Sequence, residues 1–232
     1  MTRAAGVPRP SAGALRLVEA RTARPRSVDI AGYVERMTAH CPYLRPSVER
    51  GLTTWTVYRP VGGVDALAVE AELFYAGARA AEWLRPLVRR PHGFLRCENV
   101  VVLGEVPGVR HRDLLAWPHW ALKNLYAQVG IMFGKFYAGE RETTQAGGRT
   151  PAAPVSFLPV RAAIRRRDPR FLHATPGLAS ALAVADDDGR DVCAHLPDDW
   201  QEIRRWAKGF LPLAKPSTGS KAGSANRSRS GS

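Results

Sequence analysis

The sequence predicts an α+β fold, a small and mostly antiparallel sheet flanked by helices within a single domain. Three observations predict it. Residues 53–59 (TTWTVYR) are β-branched and aromatic, the composition of a strand. Residues 64–88 repeat apolar side chains at helical spacing, through Leu67, Ala71, Phe74, Ala78, Ala81 and Leu84. Strand-like and helix-like stretches then alternate without the regular rhythm of a parallel βαβ sheet.

Taken in order, residues 28–37 read as a helix, with Ile30, Val34 and Met37 on one face. Cys41-Pro42 ends it, because proline disfavours helix at the residue before it. A short helix over 46–50 is closed by Gly51. The strand at 53–59 and the helix at 64–88 follow, with a kink expected at Pro86. Residues 94–106 read as a strand centred on 100–103, and 112–126 as a helix whose second part starts at Pro118. Strands are expected at 131–137 and 157–164. The last helices are 175–184, with Thr175-Pro176 as cap and first residue, and 198–210, with aspartates in its first turn.

Domain organisation follows from composition. Residues 1–27 read as a flexible basic segment, 28–212 as the domain and 213–232 as a disordered Ser/Gly/basic tail that lacks aromatics. Residues 139–154 read as a mobile loop, placed where a lid over a substrate would be. Hydrophobic residues make up 45% of the chain, enough for a core, and no run reaches the roughly 18 apolar residues of a membrane span. With no secretory apolar stretch, the expected location is the cytoplasm. Three widely spaced cysteines argue against a disulfide framework. The net charge of +13 suggests nucleic acid, but residues 1–27 carry +5 and 211–232 carry +4, leaving +4 on the body. A basic stripe on the fold is not demanded. The partner expected is a small-molecule substrate, with no specific nucleic acid and no membrane; a homodimer stays open.

No Walker loop, GxSxG, HExxH or GxGxxG is present. Gly130-x-x-x-Gly134 is too short for a phosphate loop and fits a close backbone approach in a strand or turn. Three constellations remain. His40-Cys41-Pro42-Tyr43 ends a helix; it is either a capping turn with a small buried thiol or a pair of ligands presented to a cavity. His119 lies among Trp117, Pro118 and Trp120; it is either a core-edge histidine or the ligand of a flat cofactor between aromatic walls. On a helix, His119, Lys123 and Tyr126 share a face that suits a carboxylate. The third constellation is basic. Arg161 and Arg165 either bind a carboxylate or phosphate, or simply keep a sheet edge solvated.

Two resemblances attach to these residues. Cys41-Pro42-Tyr43, the pattern Lys-x(6)-Gly-x-Met-x-Gly-x-Phe from Lys123 to Phe136, and the stretch from Pro159 to Leu172 ending in Asp-x-x-Phe-Leu occur together. In these the chain resembles, over about residues 28–185, an uncharacterised family of actinobacterial proteins, a domain of unknown function met near natural-product genes. The turn, short helix and strand from Cys41 to Tyr58 alone are similar to the opening of YqcI/YcgG-type proteins, which include haem-dependent enzymes that oxygenate nitrogen.

That second resemblance implies a haem-binding enzyme of secondary metabolism, holding haem b and acting on nitrogen of an amino-acid-derived substrate by N-oxygenation or N–N bond formation. It would place His40 or Cys41 in the pocket. The expected iron ligand is His119 or His40, between Trp117 and Trp120, with Tyr126 and Lys123 catalytic and Lys135, Arg161 and Arg165 on the substrate. The alternative is a non-catalytic small-ligand carrier or scaffold of a biosynthetic cluster.

Overall fold

A computed structural model describes residues 13–141 and 148–211. In chain order the elements are β1 (Leu15–Thr22), α1 (Ala31–Met37), α2 (Leu44–Glu49), β2 (Thr53–Pro60), α3 (Ala66–Val88), β3 (Cys97–Val102), α4 (His111–Leu114), α5 (Ala116–Tyr126), β4 (Ile131–Phe133), β5 (Ser156–Ala162), α6 (Pro176–Ala183) and α7 (Trp200–Lys208). The strands form one sheet in the order β1-β2-β3-β5-β4. Only the β2–β3 pairing is parallel; the other three are antiparallel. The fold is α+β with a mostly antiparallel sheet, as the sequence predicts.

Alternation along the strands explains the layering. Val100 and Val102 of β3, with Leu158 and Val160 of β5, face the layer of α3, α5 and α7. Val101 and Phe157 face the opposite side, where Ile30, Tyr33 and Met37 of the α1 region cover Trp55 and Val57 of β2. Both faces of the central strands are covered, so Val100–Leu103 is a continuous apolar run. A third cluster joins α6 to β4 through Met132, Leu172, Leu178 and Leu182.

Helix α3 is the spine. It runs through Pro86, and its approach to α5 is so close that a Cβ on Gly77 would lie 2.4 Å from Leu122 Cδ1. The glycine pair of the α5–β4 turn has the expected role. Gly130 has φ +75°, which L-residues rarely adopt, and a Cβ on Gly134 would stand 2.9 Å from Pro159 Cγ.

Three expectations change. Within the segment read as flexible, Leu15–Thr22 is a strand, β1, on the edge of the sheet. Its neighbours Gly13, Ala14 and Leu15 donate backbone N–H groups to the Glu72 carboxylate of α3. The expected strand over 131–137 ends at Phe133, because Gly134 packs on Pro159 and the chain rejoins the sheet only as a bridge between Phe136 and Phe157. The flanks of the expected mobile loop are paired, Gly139 N–H with Ala153 O and Ala153 N–H with Glu140 O. Residues 142–147 of that loop, residues 1–12 and the tail 213–232 lie outside the described residues. Among the described residues, no helix is long and apolar enough to cross a membrane.

Candidate functional site

Helix α5 and the end of β4 bring three of the expected site residues together. His119 is buried, and its Nε2 lies 3.2 Å from Phe133 O. A carbonyl only accepts, so Nε2 carries the hydrogen and Nδ1 is bare. Burial holds the imidazole far below its ordinary range, at about 3, with Lys123 and Lys135 adding to the effect. His119 is therefore neutral.

Lys123 sits one helical turn beyond His119, and Lys135 two residues beyond Phe133. Lys123 is half-buried, and its ammonium is held below the usual lysine range, first by burial and then by Lys135. No carboxylate lies within ion-pair distance of Lys123 among the described residues. The Lys135 ammonium is 5.8 Å from the centre of the Tyr137 ring, and the Arg112 guanidinium is 4.7 Å from the same ring.

Tyr137 also lines a cleft of about 520 Å³, walled by the segment from Glu105 to Arg112 and floored by Ser156. A hydrogen-bond chain ties these walls together. His111 Nε2 lies 2.7 Å from Gly104 O, its Nδ1 lies 2.7 Å from Ser156 Oγ, and Ser156 Oγ accepts from Ala138 N–H at 3.0 Å. The Gly104 carbonyl fixes the tautomer, so the Ser156 hydroxyl donates to His111 Nδ1. Ser156 is fully buried, which makes this a structural tie between walls. The cations on the rim are matched by acids, Arg110 by Asp113 and Arg112 by Glu140. Sequence spacing does not reveal this pair, since His111 and Ser156 are 45 residues apart. A second cleft of about 420 Å³ lies between Trp117 and the basic face of α7, with Arg204 5.3 Å above the indole.

The other expected residues lie elsewhere. Tyr126 does not share the open face of Lys123: its hydroxyl donates to Glu82 at 2.9 Å inside the α3–α5 contact, and burial pushes it well above the usual tyrosine range. Trp120 donates its indole N–H to Ala207 O of α7, away from Trp117. His40 is exposed at the end of α1, and Cys41 is half-buried beside it, both on the far side of the sheet from α5. Arg161 holds Asp168 and Ala162 O, and Arg165 is exposed in the turn after β5.

Haem would need a flat slot faced by a free imidazole or thiolate. His119 Nε2 is taken by Phe133 O within packed core, and neither cleft is lined by His119, His40 or Cys41. The described residues do not form a haem slot in this arrangement. Among the described residues no group of His, Cys, Asp or Glu could hold a metal ion.

No curated protein and no solved structure matches the chain. A family model does, over residues 32–185. That span runs from α1 past the end of α6 and takes in α5, β4 and both lysines, while α7 falls outside it. Matching more than half of its length, the chain belongs to the family described as Domain of unknown function (DUF6875).

Proposed function

We propose that this protein binds a small carboxylate-bearing molecule, with Lys123 and Lys135 as the cationic clamp. One observation carries the reading: a half-buried ammonium on α5 has a second lysine as neighbour and no acid to balance it among the described residues. Removing like charges from water costs free energy, and an anion offsets that cost when it binds. Groups held away from their ordinary ionisation cluster at functional sites. A carboxylate meets such a pair with charge-assisted hydrogen bonds, and the neutral His119 beside it adds no competing charge. An amino-acid-derived substrate offers that carboxylate.

Isothermal titration of the full chain with acetate tests this. Saturable binding that weakens in high salt and is lost in Lys123→Met supports the reading. Absence of binding, or equal binding by Lys123→Met, overturns it.

Haem-dependent oxidation of nitrogen, the reaction implied by the YqcI/YcgG likeness, is the second reading. It rests on a neutral imidazole on α5 and requires α5 to part from β4. An absorption spectrum after reconstitution with hemin tests it: a Soret band that survives gel filtration would put it first, and no band removes it.

A further inference from the structure

We infer that Lys123 is a nucleophilic amine that forms an imine with the carbonyl carbon of a 2-oxo acid held at the Lys123–Lys135 pair. The inference rests on the carboxylate-binding reading and names its substrate class.

The geometry is a cluster with a division of labour. His119, tied to Phe133 O at 3.2 Å, fixes α5 against the end of β4. Lys123 lies one turn further along α5, half out of water, and Lys135 follows β4 with its ammonium near the Tyr137 ring. Two amines so placed need not do the same work. A carboxylate satisfies one as an ammonium, and its charge lies one carbon away from the ketone of a 2-oxo acid. The other amine then stands within reach of that ketone.

Only an unprotonated amine attacks. Lys123 is the amine whose burial and cationic neighbour lower its proton affinity, so its neutral form is more abundant near neutral pH than that of a solvated lysine. Its lack of an ion-pair partner points the same way, because a paired carboxylate would hold it protonated.

The step balances without any redox partner. The Lys123 nitrogen lone pair forms the C–N bond as the carbonyl π pair moves to oxygen. The two hydrogens of the neutral amine leave with that oxygen as water, and a C=N bond remains.

Reductive trapping tests it. The full chain is incubated with pyruvate and sodium cyanoborohydride at neutral pH, and the adducts are located by peptide mass mapping. The chain has five lysines, Lys123, Lys135, Lys208, Lys215 and Lys221, so each is resolved. The expected result is an adduct at Lys123 that forms severalfold faster than at exposed Lys208 and is competed by acetate. In Lys135→Met the Lys123 adduct forms more slowly, since the neighbour that lowers its proton affinity and the second cation for the acid are both gone. Labelling of Lys123 no faster than Lys208 overturns the inference.

The acetate titration separates the two readings. Acetate binding that depends on Lys123, with no preferred adduct there, sinks the covalent step and leaves the binding site. A preferred adduct at Lys123 without acetate binding or competition sinks the clamp and leaves the reactive amine. Neither signal sinks both.

Discussion

Arg161 of β5 grips Asp168 through two contacts of 2.8 Å, one from each terminal nitrogen, across a turn only seven residues long. Asp168 is almost fully buried, and its Oδ2 also accepts Ile164 N–H at 2.5 Å. A guanidinium so committed closes the turn after the sheet, and it has no fork left for a substrate.

Arg161→Ala is therefore expected to destabilise the fold and leave acetate binding unchanged. It strands a buried carboxylate, a loss that runs to about 3 kcal/mol at the lower end for a broken buried pair. The lower end applies because the Arg161 side chain is one-third exposed. Urea unfolding gives the cost, and Arg161→Ala combined with Asp168→Asn recovers part of it. Lost acetate binding at unchanged stability would return Arg161 to the substrate site.

How far the fold is legible in the sequence depends on whether an element's signal is local. Helix α3 is legible because its burial repeats every three to four residues, from Val69 through Leu84. Strand β1 is not, because LRLVEART carries Arg16, Glu19 and Arg21 amid a basic segment, and its strand character comes from pairing along the exposed edge of β2. The site divides the same way. His119 and Lys123 are four apart on one helix, so their shared face is readable. That Lys135 joins them depends on the α5–β4 turn at Gly130, and that Arg161 does not depends on Asp168 folding back. Tyr126 was placed by helical spacing on the face of Lys123, but the α3–α5 contact claims its hydroxyl for Glu82.

Gly93 offers a test of packing at the end of α3. It opens the 3₁₀ turn Gly93–Leu95, and a Cβ there would lie 2.1 Å from Val88 O and 2.4 Å from Leu87 O. Both obstacles are backbone, so no side chain can rotate away. Overpacking costs about 1–3 kcal/mol, and a backbone collision puts Gly93→Ala near the top of that range. In a domain of this size that lowers Tm by about 2–4 °C per kcal/mol, readable by calorimetry. An unchanged Tm would mean the chain relaxes freely here.

The neutral His119 sets a pH dependence. Its folded-state ionisation lies at about 3, below the value of 6.5 for the free side chain. Between these limits the unfolded chain binds the proton and the folded chain does not, so stability is full above 6.5 and declines as pH falls toward 3. The slope for one proton is limited to about 1.4 kcal/mol per pH unit. His119→Gln keeps a donor for Phe133 O and removes the titration. Urea unfolding of both proteins across this range should show a shallower acid decline in the variant. Parallel curves would mean that His119 titrates normally.

The buried carboxylate of Glu98 is the anchor of the edge strand. Glu98 is fully buried on β3, where the hydroxyls of Thr54 and Thr56 donate to it and Arg21 Nε reaches it at 3.0 Å. Arg21 lies flat over Trp83 of α3, with its guanidinium carbon 3.6 Å from the ring centre. One side chain thus joins β1 to both β3 and α3. Arg21→Ala leaves Glu98 with hydroxyl donors alone, and the partial exposure of Arg21 limits the cost to about 2–3 kcal/mol. The loss should fall first on β1, whose other ties are its ladder with β2 and the Glu72 carboxylate at its start. Amide hydrogen exchange across Leu15–Thr22 should quicken well before that of α3. Glu98→Gln in the same chain should return part of the stability, since a neutral amide tolerates the missing cation. If β1 amides exchange as slowly in Arg21→Ala as before, the ladder with β2 holds the edge strand without this arginine.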